Sequence, residues 1–133
     1  MIRAGLIEAR RARGTAARTS GRRGEVLAAL WLMAKGYRIL GFRLRTPHGE
    51  IDLVAARGQV LAAVEVKARA DLADALEAVG IEQRRRLRRA LAAVAGRYAS
   101  MRGSRQRLDL LALAPGRLPR HIPDAWSEDG EIG

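Results

Sequence analysis

The chain contains no cysteine. Disulfides, thiolate zinc sites and a cysteine nucleophile are therefore excluded, and a reducing cytoplasm is the compatible setting. Aromatic residues make up 4% of the 133 positions, too few for a broad platform that stacks single-stranded nucleic acid. The two histidines, His48 and His121, lie far apart, which gives a histidine-based zinc site little support. No apolar run approaches the roughly 20 residues that span a bilayer, and the N-terminal stretch has no signal-peptide apolar core. No internal repeat, phosphate-cradling glycine loop or serine triad is present. Lysine is scarce as well: Lys35 and Lys67 stand alone among 25 basic residues, the rest being arginine.

What is present is apolar and basic. A length of 133 residues with 48% hydrophobic content suits one domain that buries roughly two-thirds of its unfolded surface. A net charge of +11 and a pI near 11.6 favour an anionic partner, because each neutralised phosphate releases condensed counterions. Nucleic acid leads. Anionic lipid ranks lower because the arginines do not accompany a long amphipathic anchor. A purely structural RNA-binding role has the same charge signature.

Residues 1–19 read as a basic arm carrying Arg3, Arg10, Arg11, Arg13 and Arg18, too poor in large apolar residues to fold alone. Glu8 argues against a transit peptide. Residues 21–35 have helical spacing, with Leu27, Leu30, Trp31 and Ala34 as the expected buried stripe and Gly36 as the stop. Tyr37 to Leu44 alternates as a strand, and Thr46-Pro47-His48-Gly49 turns into the next, with His48 expected in solvent. Residues 71–79 and 82–99 read as helices, the longer burying Leu87, Leu91, Val94 and Tyr98, with Gly96 and Gly103 marking its exit. Arg84, Arg85, Arg88 and Arg89 crowd its outer sides, where they can follow a phosphate backbone. Arg107 to Ala112 reads as a strand and Arg117 to Ile122 as an edge strand. Trp126 is expected to cover the core, and Asp109 to orient Arg107. Residues 123–133, with Asp124, Glu128, Asp129 and Glu131, form an acidic tail, either frayed or shielding the basic surface. The expected division is a 1–19 arm, a 20–122 domain and a 123–133 tail. The order α-β-β-β-α-β implies an α/β sandwich around a mixed sheet.

The most specific signal is the pair of segments Gly49-Glu50-Ile51-Asp52-Leu53-Val54-Ala55 and Val64-Glu65-Val66-Lys67. Side chains alternate along strands, and hairpin register follows loop length. A two-residue turn at Arg57-Gly58 sets Glu50 opposite Glu65 and Asp52 opposite Ala63, diagonal to Glu65 at roughly 7–8 Å. Glu50, Asp52, Glu65 and Lys67 then share one face, while Ile51, Leu53, Val64 and Val66 share the other. Three crowded carboxylates repel unless a cation neutralises them, and Mg²⁺ accepts such oxygen ligands together with phosphate oxygens. An adjacent ammonium supports phosphodiester cleavage. Lysine in an arginine-rich chain suggests a need for a compact, titratable amine. The same pattern also describes a solvated strand face bearing ordinary surface charges.

These residues resemble the PD-(D/E)XK nuclease superfamily, in which an acidic strand precedes an E-x-K strand. Together, Gly24-Glu25, Gly36-Tyr37, Gly49-Glu50-Ile51-Asp52, Val64-Glu65-Val66-Lys67-x-Arg69 and Arg107-x-Asp109 look like the YraN-type family of small bacterial proteins, over residues 20 to 122. The resemblance implies a restriction-endonuclease-like three-layer sandwich related to Holliday-junction resolvases. It implies Asp52 and Glu65 as ligands of Mg²⁺ or Mn²⁺, the Val66 carbonyl as a further ligand, and Lys67 beside the attacking water. Glu25 matches a helical glutamate that joins the site in resolvase-like members. The chain departs from the family pattern at Arg43, where asparagine is usual, and at Gln83, where lysine is usual.

The resulting expectation is a cytoplasmic, Mg²⁺- or Mn²⁺-dependent endonuclease acting on DNA, branched DNA included, or on RNA. Asp52, Glu65, Lys67 and Glu50 are the catalytic candidates. Arg45, Arg69, Arg84, Arg85 and Arg88 are the candidates for holding the nucleic acid, and a homodimer would supply the two sites needed to cut two strands. The alternatives are a non-catalytic nucleic-acid-binding module on the same fold and an adaptor for an acidic protein.

Overall fold

The computed structural model describes residues 22–129. The basic arm and the last four residues, including Glu131, lie outside them. Helix α1 occupies residues 22–34. It is followed by β1 (Arg38–Thr46), β2 (Gly49–Arg57) and β3 (Val60–Ala68), then helices α2 (Leu72–Glu77) and α3 (Ile81–Arg97), and finally β4 (Arg105–Leu113) and β5 (Arg120–Ile122). The five strands form one sheet in sequential order. All neighbours are antiparallel except β3 and β4, whose parallel pairing requires the crossover that α2 and α3 supply. The protein is therefore an α/β structure with a five-stranded mixed sheet flanked by helices.

Each boundary has a local cause. Gly36, at φ 91°, ends α1 by donating to the Met33 carbonyl while Tyr37 donates to Leu32, a Schellman closure that satisfies two terminal carbonyls. Asp71 caps α2, its carboxylate accepting from the Ala73 and Asp74 N–H groups. The β2–β3 turn is Gly58-Gln59, one residue later than the Arg57-Gly58 turn expected from the sequence, because Gly58 at φ 57° meets the positive φ that the first turn position demands. The loop still contains two residues, so the parity of the faces survives.

Two cores sandwich the sheet. On one face α2 and α3 cover Val54, Ala56, Leu61, Ala63, Leu108, Leu110 and Ala112, with Trp126 in the same cluster. On the other, α1 covers Leu53, Ala55, Ala62, Val64 and Leu111. Leu87, Leu91 and Val94 are buried as the helical spacing indicates, whereas Tyr98 lies past the helix end and is exposed. Ile51 joins the α3 side, unlike Leu53, Val64 and Val66. It pairs with Leu44, on a strand distorted by a bulge between Ile39 and Gly41 and by the left-handed backbone of Arg43.

Helix α1 presents the opposite face from the one its large residues suggested. Ala28, Ala29 and Leu32 meet the sheet, while Leu27, Leu30 and Ala34 turn outward and Trp31 is half-buried. The helix is apolar nearly all round, so periodicity alone could not choose the face. Alanine allows the helix backbone to approach the sheet closely, and Gly24 against the Leu113 side chain extends that approach.

Candidate functional site

The ladder between β2 and β3 runs from Arg57↔Val60 to Leu53↔Val64. Beyond Leu53↔Val64 the ladder stops, and Asp52 lies close enough to Glu65 to act on its carboxyl by charge and hydrogen bonding. There the Asp52 carboxylate itself accepts the Val66 main-chain N–H at 3.1 Å. A side chain has taken over a ladder position, which fixes the carboxylate beside β3.

Glu65 is 6% exposed and lies on the α3 side, where the Gln83 amide donates to its Oε1 at 3.2 Å. The Lys67 ammonium stands 3.4 Å from the same oxygen. Burial, then the nearby Asp52 charge, push the Glu65 carboxyl up to about 7 in spite of Lys67. Asp52, Glu65, Val66, Lys67 and Gln83 thus meet at one point. The donor facing Glu65 from α3, the Gln83 amide, is neutral.

Glu25 and Glu50 are placed differently. Glu25 accepts from the Arg43 guanidinium at 3.0 and 3.1 Å, tying α1 to β1. Glu50 is exposed and pairs with Arg45 across β1 and β2. Among the described residues no three His, Cys, Asp or Glu side chains converge on one point. The site is a carboxylate pair with the Lys67 amine, the Gln83 amide and the Val66 main-chain N–H as neighbours.

The arginines divide into two groups. Arg84 and Arg88 both engage the Asp129 carboxylate, Arg88 also donates to the Trp126 carbonyl, and the Arg84 guanidinium lies over the Trp126 ring. The acidic segment after β5 therefore packs against α3 through Trp126 and Asp129. Arg45, Arg69 and Arg85 are exposed, Arg85 pairing only with Glu82 one turn away. His48 is exposed as well.

A second charged cluster lies on the α1 side. Asp109, fully buried, accepts from Arg107 Nε at 2.7 Å and Nη2 at 2.8 Å, from the Asp124 N–H at 3.0 Å, and pairs with His121 Nε2 at 2.8 Å. Burial alone would raise this carboxyl, but His121, Arg107 and the Asp124 N–H outweigh it and hold it below the usual range. Arg107 is held more firmly protonated by the same hydrogen bond. The Lys35 ammonium meets His121 Nδ1 at 2.6 Å, so Nδ1 accepts and Nε2 carries the proton toward Asp109. Nothing in the sequence marked His121 as a partner of Asp109; β4–β5 pairing brings them together. Asp109 does orient Arg107, as the Arg107-x-Asp109 spacing suggested.

Residues 24–113 match the sequence profile described as uncharacterised protein family UPF0102. A UPF0102 protein of Caulobacter vibrioides (strain NA1000 / CB15N) is 67% identical over 117 residues, covering 88% of this chain and 94% of that protein. One from Caulobacter sp. (strain K31) is 66% identical over 124 residues, 93% and 89% of the two chains. One from Parvibaculum lavamentivorans is 50% identical over 115 residues, 86% of each.

Proposed function

The chain belongs to the uncharacterised protein family UPF0102, and we propose that this protein is a metal-dependent nuclease with a restriction-endonuclease-like three-layer core. Its substrate is nucleic acid, DNA ahead of RNA and branched DNA included. The observation that carries the reading is the Asp52–Glu65 pair, drawn together beside Lys67 where the β2–β3 ladder ends.

The acidic donors brought together are the two carboxylates, oxygen ligands both, to which the resemblance would add the Val66 carbonyl. That chemistry fits Mg²⁺ or Mn²⁺. The raised Glu65 carboxyl is consistent with a site that lacks enough positive charge of its own. When bound, such an ion supplies Lewis-acid polarisation of a phosphoryl oxygen and makes a water easier to deprotonate.

The chain's own groups do the rest. Asp52 and Glu65 hold the ion, with Asp52 fixed by the Val66 N–H and Glu65 by Gln83. Lys67, half-buried, orients the attacking water and stabilises charge on a non-bridging oxygen. Glu50 and Glu25 stand outside this pair, Glu50 toward solvent. Arg45, Arg69 and Arg85 contact backbone phosphates, while Arg84 and Arg88 brace α3. A cytoplasmic homodimer would present two such sites to a branched substrate.

A non-catalytic binding module on the same fold is the second reading, favoured by the lack of a third acidic ligand among the described residues. A cleavage panel of linear, branched and single-stranded DNA and RNA, with Mn²⁺ and with chelator, separates the two. Cleavage that Asp52→Ala abolishes while binding persists supports the nuclease. Binding without cleavage of any substrate supports the module.

A further inference from the structure

The outward face of α1 is built from Val26, Leu27, Leu30 and Met33, each 46–58% exposed, while Ala28 and Ala29 of the same helix are buried. Phe42, 46% exposed, pairs with Leu53 and so lies on the same side of the sheet. A soluble helix normally turns its large apolar residues inward and leaves the small or polar ones outside. Five large apolar side chains on one side mark a surface with a partner.

Charge identifies that partner. Among the described residues, 22–49 hold six Lys and Arg against one acid, Glu25, whereas 50–129 hold fourteen against eleven. Five of the eight net positive charges of the described residues thus fall in the part of the sequence that contains α1. Arg22 and Arg23 stand just before the apolar stripe, and Lys35 and Arg38 just after it. Two copies facing each other through α1 would bring like charges together in either direction. Nucleic acid would satisfy the arginines and leave the apolar stripe in water. An anionic bilayer surface satisfies both, taking up the apolar residues at the acyl boundary and the arginines at its headgroups. Helices α2 and α3 lie on the other face of the sheet, so α1 is the sole described helix on its side and stands out as a ridge that a planar surface can receive.

We propose that α1, through Val26, Leu27, Leu30 and Met33 flanked by Arg22 and Arg23, docks the protein peripherally on an anionic lipid surface. This contact is distinct from crossing the bilayer: no helix among the described residues is long and apolar enough to do so. It also does not depend on the nuclease reading, since the face is on the opposite side of the sheet from Glu65.

Co-sedimentation of the full chain tests the proposal, using vesicles of equimolar phosphatidylglycerol and phosphatidylcholine against phosphatidylcholine alone. Binding is expected on the anionic vesicles and is about ten-fold or more weaker on the neutral ones. Leu30→Glu with Met33→Glu is expected to cut binding about ten-fold or more while the melting temperature and nucleic-acid affinity stay unchanged. Arg22→Gln with Arg23→Gln, which leaves every apolar residue in place, is expected to weaken binding and flatten its salt dependence. No vesicle binding overturns the proposal, as does binding that the Leu30/Met33 variant retains. A dimer in sedimentation velocity that this variant converts to monomer, without vesicle binding, assigns the face to a second copy instead.

Discussion

Asp52 accepts the main-chain N–H of Val66, the residue between Glu65 and Lys67, at 3.1 Å. The contact sets the separation of the two strands at the candidate site. Replacing Asp52 by Ala leaves that N–H without its acceptor, at a cost of about 1–3 kcal/mol in unfolding free energy. Asp52→Asn keeps an acceptor and is expected to melt close to the parent, while the proposed nuclease role predicts no cleavage by either variant. Chemical denaturation beside a cleavage assay separates the structural role from the chemical one.

Glu65 gives an unusual pH dependence. Its folded value of about 7 lies above the ordinary 4.5, so between these limits the folded chain holds a proton that the unfolded chain has lost. Its contribution therefore falls as pH rises from about 4.5 to 7 and levels off above, a loss on the order of 3 kcal/mol. Glu65→Gln should flatten this slope and melt higher than the parent at pH 8. Mn²⁺ should raise the parent's melting temperature more at pH 8 than at pH 5, and the Gln variant's hardly at all. A parent whose stability climbs over that pH range would contradict the assignment.

Asp109 behaves in the opposite sense. Its carboxyl is held below the ordinary 3.8, so its contribution is present above that value and lost as pH falls through the lowered one. Asp109→Asn removes the charge that Arg107 and His121 share and is expected to cost about 3–5 kcal/mol. Urea unfolding at neutral pH measures it.

The arginines on α3 should separate in two assays. Arg88→Ala breaks the contacts to Asp129 and the Trp126 carbonyl, so it should lower the melting temperature. Arg85→Ala should leave stability nearly unchanged, because its pair with Glu82 is solvent-exposed. It should instead weaken nucleic-acid binding and reduce the salt slope by about 1.

Gly49 carries φ 115°, and a Cβ there would collide with the Arg86 guanidinium. Gly49→Ala should cost about 1–2 kcal/mol from backbone strain, since the arginine end can swing aside. Thermal unfolding reads this directly.

The parts of the structure that could be read from sequence are those fixed by short-range periodicity. Alternation in Gly49–Arg57 and Val60–Ala68, joined by a two-residue loop, was enough to put Asp52, Glu65 and Lys67 on one face. The turn itself fell one residue later because a glycine with positive φ dictates where a tight turn sits. The sequence could not reveal the orientation of α1: with leucines and alanines around nearly its whole circumference, distance of approach to the sheet chose the face rather than hydrophobicity. The Asp129 clamp on Arg84 and Arg88 spans more than forty positions and has no local signature. His121 was equally silent, since its partner Asp109 is set by strand pairing.

Val64 pairs with Asp109 in the parallel β3–β4 register, so Glu65 is one residue along from the position beside Asp109 and faces the other way. A single layer of backbone therefore separates a carboxylate kept ionised by Arg107 and His121 from one whose charge changes near neutral pH. The second can therefore change its charge without unsettling the anchorage provided by the first.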